Sequence, residues 1–451
     1  MDAELMDLIR GRSAADIADA VRALVERGAL RAGDALPPVR TLAEGLGVNR
    51  NTVASAYRQL AQAGLVVTKG RGGTTVADPR PVPQEGFAGD SVLRDVATGN
   101  PDPEFVPDPA RALAAMAGRP VLYGEPVIDP DLERWAAKWM SDATPPGAPA
   151  RLTITSGAAD AIERLLAQAL TRDDAVGLED PCFLAAIHTV RVGGYRPVGI
   201  PVDDEGMTVE GLRAALERGV RAIICTPRAQ NPTGASLTAA RAAALRDELR
   251  AHPYVLVIED DHFSMLSQRP LHSLIGPHQR RWAVIRSVSK FLGPDMCLAV
   301  TASDPDTAAG LATRLTPGTT WVSHLLQRLV LALMTDADVR GKIASAAAHY
   351  AARNVAFAAR LTAHGVPTIA RDGLNLWVEL PVAADDVVHR LMRRGWLARS
   401  GEEFRLSPGA ASDRLRLTVH DLDDADAEHL ATDIAAAVRA SAQRPGTREV
   451  A

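Results

Sequence analysis

A lysine with two nearby hydroxyls is the first candidate for covalent chemistry in this sequence. Lys290 follows the β-branched run Trp282-Ala-Val-Ile, with Ser289 one residue and Ser287 three residues before it. A lysine in a protected site forms a Schiff base with an aldehyde, whereas a lone lysine is more often solvated. Of the 50 lysines and arginines, only Lys69, Lys138, Lys290 and Lys342 are lysines, so each of them needs an explanation.

Three more polar segments follow predicted strands. Thr155-Ser-Gly-Ala is a small-residue turn that can offer backbone N–H groups to a phosphate. Asn231-Pro-Thr-Gly can hold an amide rigidly toward a ligand oxygen, although such a sequence also occurs as a simple turn. Ile258-Glu-Asp-Asp places carboxylates where they can hold a protonated ring nitrogen, or where they cap a helix or lie in a solvated loop.

The first 78 residues predict short helices followed by a β-hairpin. Ser13 and Asp16 have the spacing of a helix-capping pair. The third predicted helix, capped by Asn49, has an apolar face of Val53, Tyr57 and Leu60. Its other face is polar and consists of Arg50, Asn51, Ser55 and Arg58. This order of elements is the layout of a winged helix, whose third helix enters the DNA major groove.

The charge of this segment is opposite to that of the whole chain, whose net charge is -5. That overall charge argues against nucleic acid or an anionic membrane as a partner of the whole surface. Between positions 40 and 71 there is one acid, Glu44, and five basic residues: Arg40, Arg50, Arg58, Lys69 and Arg71. The local excess predicts a DNA site, and the alternative is a helical domain with a solvated charged face.

Later segments indicate a long α/β region. From about residue 150 to 300, β-branched runs alternate with alanine-rich helical stretches, which predicts a mostly parallel sheet covered by helices. A proline-rich linker is expected over residues 79–94, and a smaller α+β subdomain over about residues 345–451. The acidic start and the absence of a long apolar run predict a cytoplasmic protein without a membrane segment. The three cysteines show no metal-ligand spacing.

Two family resemblances rest on these residues. The segment GALRAGDALPPVRTLAEGLGVNRNTVASAYRQLAQAGLVVTKGRGGTTVA resembles the winged-helix domain of GntR regulators. Residues 95–451 resemble the fold-type I aminotransferases that use pyridoxal 5'-phosphate, because the SGA, EDPxF, NPTG, EDD and SxSK motifs occur in that order. The combination resembles the MocR family of bacterial transcription regulators, and Asp-Asp-His-Phe and Trp-Val-Ser-His are most similar to its PtsJ subgroup, linked to vitamin B6 salvage.

The resemblance implies a role for each site residue. Lys290 would bind the cofactor as a Schiff base, Asp260 would pair with the pyridine nitrogen, and Arg416 would grip an effector carboxylate unless it forms a structural ion pair. The other implied cofactor contacts are Ser156, Gly157, Ala158, Phe183, Asn231, His262, Ser287, Ser289 and, in a partner subunit of a homodimer, Tyr123. The implied contacts to double-stranded operator DNA are Arg40, Arg50, Asn51, Thr52, Tyr57, Lys69 and Arg71.

Two cofactor positions depart from the family pattern, and after Tyr123 the sequence has Ile128 and Glu133 where the family tends to have glycine and arginine. Cys297 stands where the family usually has an arginine on the phosphate, and His262 stands where it usually has a tyrosine. The sequence therefore predicts a transcription regulator that senses pyridoxal phosphate or an amino compound reacting with it. The alternatives are an active aminotransferase that carries a DNA-binding domain, and a regulator that has lost the cofactor.

Overall fold

The computed structural model describes residues 8–62, 65–68, 73–76, 92–115, 120–145, 147–315, 321–406 and 412–443. The chain forms two compact units, Met1–Val82 and Pro83–Ala451. Most of the predicted linker and the tip of the predicted hairpin, with Lys69 and Arg71, lie outside the described residues. Within the described ranges, no helix is long and apolar enough to cross a membrane.

The first unit is a winged helix, as predicted. Its elements are α1 (Ala14–Glu26), α2 (Val39–Leu46), α3 (Arg50–Gln62), β1 (Val66–Thr68) and β2 (Thr74–Val76). The Ser13 side chain accepts a hydrogen bond from the Asp16 N–H, and the Asp16 carboxylate accepts one from the Ser13 N–H, so the capping box is present. The helix α2 ends at Gly47 in the left-handed conformation that favours glycine, and β1 pairs antiparallel with β2.

The second unit is built on a mixed sheet. The strands of the whole unit are β3 (Arg94–Asp95), β4 (Arg151–Thr155), β5 (Ala175–Asp180), β6 (Arg196–Asp203), β7 (Gly206–Met207), β8 (Val220–Cys225), β9 (Leu256–Asp260), β10 (Trp282–Ser287), β11 (Ala299–Ser303), β12 (Asn375–Glu379), β13 (Trp396–Leu397), β14 (Arg399–Ser400) and β15 (Arg414–Thr418). The main sheet has the order β4-β11-β10-β9-β8-β5-β6-β7. Its central strands β6, β5, β8, β9 and β10 are parallel, and β11 is antiparallel to both of its neighbours.

The helices of this unit are α4 (Ala110–Ala115), α5 (Pro130–Trp139), α6 (Ala158–Ala169), α7 (Leu184–Val192), α8 (Val209–Glu217), α9 (Ala239–Leu249), α10 (Ser289–Leu292), α11 (Pro305–Leu315), α12 (His324–Thr335), α13 (Ala337–Ala363), α14 (Ala384–Met392) and α15 (Asp424–Ala442). Apolar residues on both faces of the main sheet are buried, which explains why its strands are almost uninterrupted apolar runs. The small subdomain has its own apolar core around β12, β15 and α15. The short strand β3 joins this subdomain by pairing with β13.

Candidate functional site

The predicted site motifs meet at one edge of the main sheet. Both β4 and β10 run antiparallel to β11, which lies between them, so β4 points in the same direction as β8, β9 and β10. The carboxyl ends of these four strands therefore lie at the same edge, where ligands of α/β sheets bind. A cavity of about 310 Å³ lies there, and we call it the strand-end cavity. The predicted residues that line it are Ser156, Gly157, Ala158, Phe183, Asn231, Asp260, His262, Ser287, Ser289, Lys290 and Cys297.

Lys290 lies on the short helix α10 directly after β10. Its Nζ donates a hydrogen bond to the carbonyl oxygen of Gly99 at 3.0 Å. Burial lowers the pKa of Lys290 to about 8, and the negative charge of Asp260 opposes this shift. Because only a neutral amine attacks an aldehyde, burial prepares this lysine for a Schiff base near neutral pH.

The three consecutive acids at the end of β9 have three different environments, which the sequence alone did not distinguish. The Asp260 side chain lines the strand-end cavity, and its buried Oδ1 has no hydrogen-bond partner among the described residues. Burial, with Asp261 next to it, raises the pKa of Asp260 to about 7. A buried carboxylate oxygen without a partner is costly, so a proton donor in the cavity would stabilise it.

The two neighbouring acids point away from the cavity and hold the fold. Asp261 accepts hydrogen bonds from Arg228 at 2.7 and 2.9 Å and from Arg286 at 2.7 Å. Glu259 accepts hydrogen bonds from the Ser273 hydroxyl and from the Leu274 N–H. Sequence analysis missed both arginines as partners. A charged residue within a buried strand or beside a site motif needs a counter-charge, and that was the signal available.

A helix N-terminus lies at another side of the cavity. Gly157 precedes α6 with a φ of +103°, which favours glycine, and a Cβ there would meet open space. The first N–H groups of a helix have no intrahelical acceptor, so those of Ala158 and its neighbours are suited to an anion. The hydroxyls of Ser287, at the end of β10, and Ser289, at the start of α10, lie 3.3 Å apart. These uncharged groups have the donors that a phosphate cradle requires.

The remaining predicted cofactor contacts lie around the rest of the cavity. His262 is half-buried there, and burial, with Lys290 nearby, lowers the pKa of His262 to about 4, so the ring is neutral at neutral pH. Asn231 accepts a hydrogen bond from Arg416 Nη1 at 3.4 Å. Arg416 is fully buried, donates also to the Ala97 carbonyl and lies over the Phe404 ring. It contacts the cavity through Asn231 and is not among the described residues that line it.

Two predicted cofactor positions differ from the rest. Cys297 lines the cavity as an exposed thiol, and Lys290 is the single cationic residue among the described lining residues. Tyr123 is 92% exposed and does not line the cavity of its own chain within the described residues, while its ring contacts Trp321. Sequence analysis also missed several lining residues without ionisable side chains: Gly99, Asn100, Ala159, Thr226 and Pro294.

The donor set fits pyridoxal 5'-phosphate. The partnerless Asp260 oxygen suits a protonated ring nitrogen, Lys290 suits the aldehyde, and the α6 N-terminus suits the phosphate. The cavity volume lies at the lower end of the range of about 300–1,000 Å³ typical of small-molecule sites. The residues present therefore have the chemistry that this cofactor requires.

The candidate DNA surface lies on α2 and α3 of the first unit. Arg40 and Arg50 are well exposed, and both reach Glu44, at 2.9 Å and 3.6 Å. Asn51 is exposed, and its N–H donates to the Asn49 side chain, so the predicted cap is present. Thr52 is half-buried at the start of the same helix. This arrangement places two guanidinium groups next to the N-terminus of the predicted recognition helix.

Tyr57 requires a correction. The structure buries Tyr57 in the core of the winged helix, and its hydroxyl donates a hydrogen bond to the Pro37 carbonyl at 2.7 Å. A buried side chain whose hydroxyl is already used cannot contact DNA directly. Tyr57 therefore supports the recognition helix by packing, which agrees with its position on the apolar face of α3.

Comparison with known proteins agrees with this geometry. A model of the aminotransferase class I and II family matches residues 87–434, and one of bacterial regulatory proteins of the gntR family matches residues 13–76. The chain is 47% identical over 428 residues to the vitamin B6 salvage pathway transcriptional repressor PtsJ of Salmonella typhimurium, which covers 95% of this chain and 99% of that protein. It is 23% identical to the probable rhizopine catabolism regulatory protein MocR of Rhizobium meliloti, over 86% of this chain and 84% of that protein.

The fold of the second unit also has solved counterparts. The crystal structure of a kynurenine aminotransferase from Pyrococcus horikoshii superposes with a TM-score of 0.70 at 21% identity, over 79% of this chain and 93% of that chain. The chain belongs to the aminotransferase class I and II family and, through its gntR-family winged helix, to the MocR family of transcription regulators.

Proposed function

We propose that this protein is a transcription regulator of vitamin B6 metabolism whose effector is pyridoxal phosphate or an amino compound that reacts with it. The winged helix binds operator DNA, and the strand-end cavity binds pyridoxal phosphate through Lys290. The observation that carries the proposal is the pairing in one cavity of a depressed lysine pKa with a buried, partnerless carboxylate oxygen. The 47% identity to a repressor of vitamin B6 salvage supports the metabolic assignment.

Each residue of the cavity has a separate task in this function. Pyridoxal phosphate supplies an aldehyde, a basic ring nitrogen and a phosphate. Lys290 presents a larger fraction of neutral amine than an exposed lysine does, because burial lowers its pKa to about 8. Asp260 would hold a protonated ring nitrogen through its unpartnered oxygen, and the N-terminus of α6 would hold the phosphate. An amino compound that competes with Lys290 would release the lysine, which then changes its contact with the Gly99 carbonyl.

A homodimer is part of the proposal. Tyr123 is an exposed aromatic residue that does not reach the strand-end cavity of its own chain within the described residues. In a dimer it would complete the phosphate site of the other subunit. Two winged helices would then contact an operator with two half-sites, as dimeric regulators do. Sedimentation equilibrium, with Tyr123→Ala tested for cofactor affinity, examines this part separately.

The experiment that tests the proposal is a titration of purified, dialysed protein with pyridoxal phosphate. We expect a visible absorption band of the lysine-bound cofactor in the wild type and in Lys342→Ala, and no such band in Lys290→Ala. Lys342 is the matched control because it lies outside the strand-end cavity and donates to the Val106 carbonyl. Borohydride reduction followed by peptide mass spectrometry should place the label on Lys290. A band that persists in Lys290→Ala would overturn the assignment.

The regulatory part needs a DNA readout. Operator sequences are first selected from random DNA, and their affinity is then measured with and without pyridoxal phosphate. We expect the cofactor to change operator affinity in the wild type and to have a much smaller effect in Lys290→Ala. Equal effects in both proteins would show that the cavity does not communicate with DNA binding through this lysine.

Aminotransferase activity is the second candidate. The observation that favours it is Arg416, a buried guanidinium next to Asn231 that suits a substrate carboxylate. Steady-state turnover of an amino acid with a keto acid, abolished by Lys290→Ala and weakened by Arg416→Lys, would establish an enzyme. A half-reaction that stops after one turnover would agree with the sensor instead.

A further inference from the structure

A second cavity of about 710 Å³ lies in the aminotransferase-like unit and shares no described lining residue with the strand-end cavity. We call it the indole cavity, and its defining residues are Trp135, Lys138, Trp139, Ser264, Arg286 and Arg340. Nothing in the function proposed above uses it. Its lining combines planar apolar surface, an excess of positive charge and a buried hydroxyl without a partner.

The planar surface comes from two indoles on α5. The rings of Trp135 and Trp139 are 5.0 Å apart between centroids and inclined by 35°. Both side chains are only half-buried, although large aromatic groups gain most when they are fully covered. The Arg286 guanidinium lies 5.8 Å from the centroid of the Trp139 ring. A flat ring that entered this cavity would cover apolar surface that is now partly exposed.

The charge favours an anion. Four basic residues, Lys138, Arg228, Arg286 and Arg340, line the indole cavity against one acid, Asp142. Asp261, which lies behind the lining, neutralises part of the charge of Arg228 and Arg286. The two exposed cations at the rim, Lys138 and Arg340, form no salt bridge with a described residue, although the charge of Arg340 lowers the pKa of Asp336. Counting Asp142, Asp261 and Asp336 against the four basic residues, one positive charge remains uncompensated, which favours a negatively charged ligand.

The third observation is Ser264. Ser264 is 7% exposed and lines the indole cavity, and its Oγ has no hydrogen-bond partner among the described residues. Buried hydroxyls are almost always paired, because an unpaired one loses its contacts with water without compensation. A ligand oxygen in the cavity would supply the missing partner.

We infer that the indole cavity binds a small planar anion, an aromatic ring that carries a carboxylate or a phosphate. The ring packs on the indoles, and the anion lies between the rim cations Lys138 and Arg340. The Ser264 hydroxyl donates a hydrogen bond to an oxygen of the ligand. Residues that are neighbours in the chain connect this cavity with the strand-end cavity. Trp139 contacts Phe291, the residue after Lys290, and Arg286 directly precedes Ser287.

Isothermal titration calorimetry with phenyl phosphate and with benzoate tests this inference. The full chain is first loaded with pyridoxal phosphate, and the excess is removed. We expect saturable binding with one site per chain, and the tighter of the two probes identifies the preferred anionic group. Benzylamine, which has the same ring but a positive charge, should bind at least about tenfold more weakly. Repeating the titration on Lys290→Ala separates the two cavities, because binding in the indole cavity should survive that change.

Variants locate the site. Lys138→Gln, Arg340→Gln and Ser264→Ala should each weaken phenyl phosphate binding by roughly threefold to tenfold. Arg134→Gln is the matched control, because this exposed arginine lies on the same helix and pairs with Asp131 outside the cavity. Equal binding of benzylamine, unchanged affinity in all three variants, or no heat at millimolar ligand would each overturn the inference.

Discussion

The strand-end cavity and the recognition surface of the winged helix use charge in opposite ways. In the cavity, burial brings the pKa of Asp260 up to about 7 and that of Lys290 down to about 8, so both groups titrate near neutral pH. On the winged helix, Arg40 and Arg50 remain exposed, and the hydrogen bond from Arg40 lowers the pKa of Glu44. Desolvation thus shifts the pKa values of both groups at one site, while exposure to solvent keeps two permanent positive charges at the other.

Asp260→Asn should give the largest effect, because it removes the carboxylate that we propose as the partner of the ring nitrogen. Loss of a buried charge-assisted hydrogen bond of about 3 kcal/mol would weaken pyridoxal phosphate binding by roughly a hundredfold. The stability of the cofactor-free protein should change in the other direction. A carboxyl whose pKa is raised from 3.8 to about 7 destabilises the fold progressively as the pH rises through that interval. The gain in Tm from Asp260→Asn should therefore be absent near pH 4 and complete above pH 7.

Glu259→Gln is the matched control for this prediction. Burial also raises the pKa of Glu259 to about 7, but its carboxylate binds Ser273 and Leu274 instead of lining the cavity. We expect it to leave cofactor affinity within about twofold of the wild type. Cofactor affinity that falls equally in both variants would show that the strand end, and not the single Asp260 carboxylate, determines binding.

Arg50→Ala tests the exposed side of the comparison. Loss of a guanidinium at the start of α3 should cost about 2 kcal/mol of operator binding, or roughly thirtyfold, and reduce the slope of affinity against salt by about one. Arg22→Ala is the control, because Arg22 is another surface arginine of the winged helix that pairs with Asp19. Binding measured by fluorescence anisotropy across a salt series separates the two variants. The cofactor band should not change in either protein.

Cys297→Arg makes the cavity more like the DNA surface by adding a permanent charge. Lys290 is the single cation among the described lining residues, and Cys297 is an exposed residue that lines the same cavity as the proposed phosphate cradle. A new charge-assisted contact of about 1.5 kcal/mol would tighten pyridoxal phosphate binding by roughly tenfold. Pyridoxal, which lacks the phosphate, should bind Cys297→Arg and the wild type equally, and Cys297→Ala should match the wild type for both ligands. Equal tightening for both ligands would place the phosphate elsewhere.

Glu44→Gln should have a smaller effect of the opposite sign to Arg50→Ala. Glu44 is the acid that Arg40 and Arg50 share, and its negative charge repels DNA phosphates. Removing it frees both guanidinium groups, which should tighten binding to nonspecific DNA by roughly threefold at low salt and less at high salt. Weaker binding instead would mean that Glu44 holds the two arginines in the orientation that DNA requires.

Much of the fold and the site could be predicted from the sequence because local signals and order agree. The capping pair of Ser13 and Asp16 and the order of the strand-end motifs involve neighbouring residues, and the structure contains both. The separate roles of Glu259, Asp260 and Asp261 could not be predicted. Three consecutive acids have the same chemistry in sequence, and their roles depend on which distant groups the fold brings to each of them. The pairing of β3 with β13 was missed for a different reason, because two-residue strands carry no periodic pattern in the sequence.

Tyr57→Phe should have the smallest effect and tests the correction made to this residue. The variant loses only the hydrogen bond to the Pro37 carbonyl, so the winged helix should lose about 1 kcal/mol of stability. Operator affinity, measured well below the melting temperature, should stay the same because the buried hydroxyl does not face solvent. Urea unfolding and anisotropy on the same protein provide both values. If affinity fell by as much as in Arg50→Ala while stability stayed unchanged, Tyr57 would belong to the DNA surface, and the division between buried and exposed chemistry would fail within α3 itself.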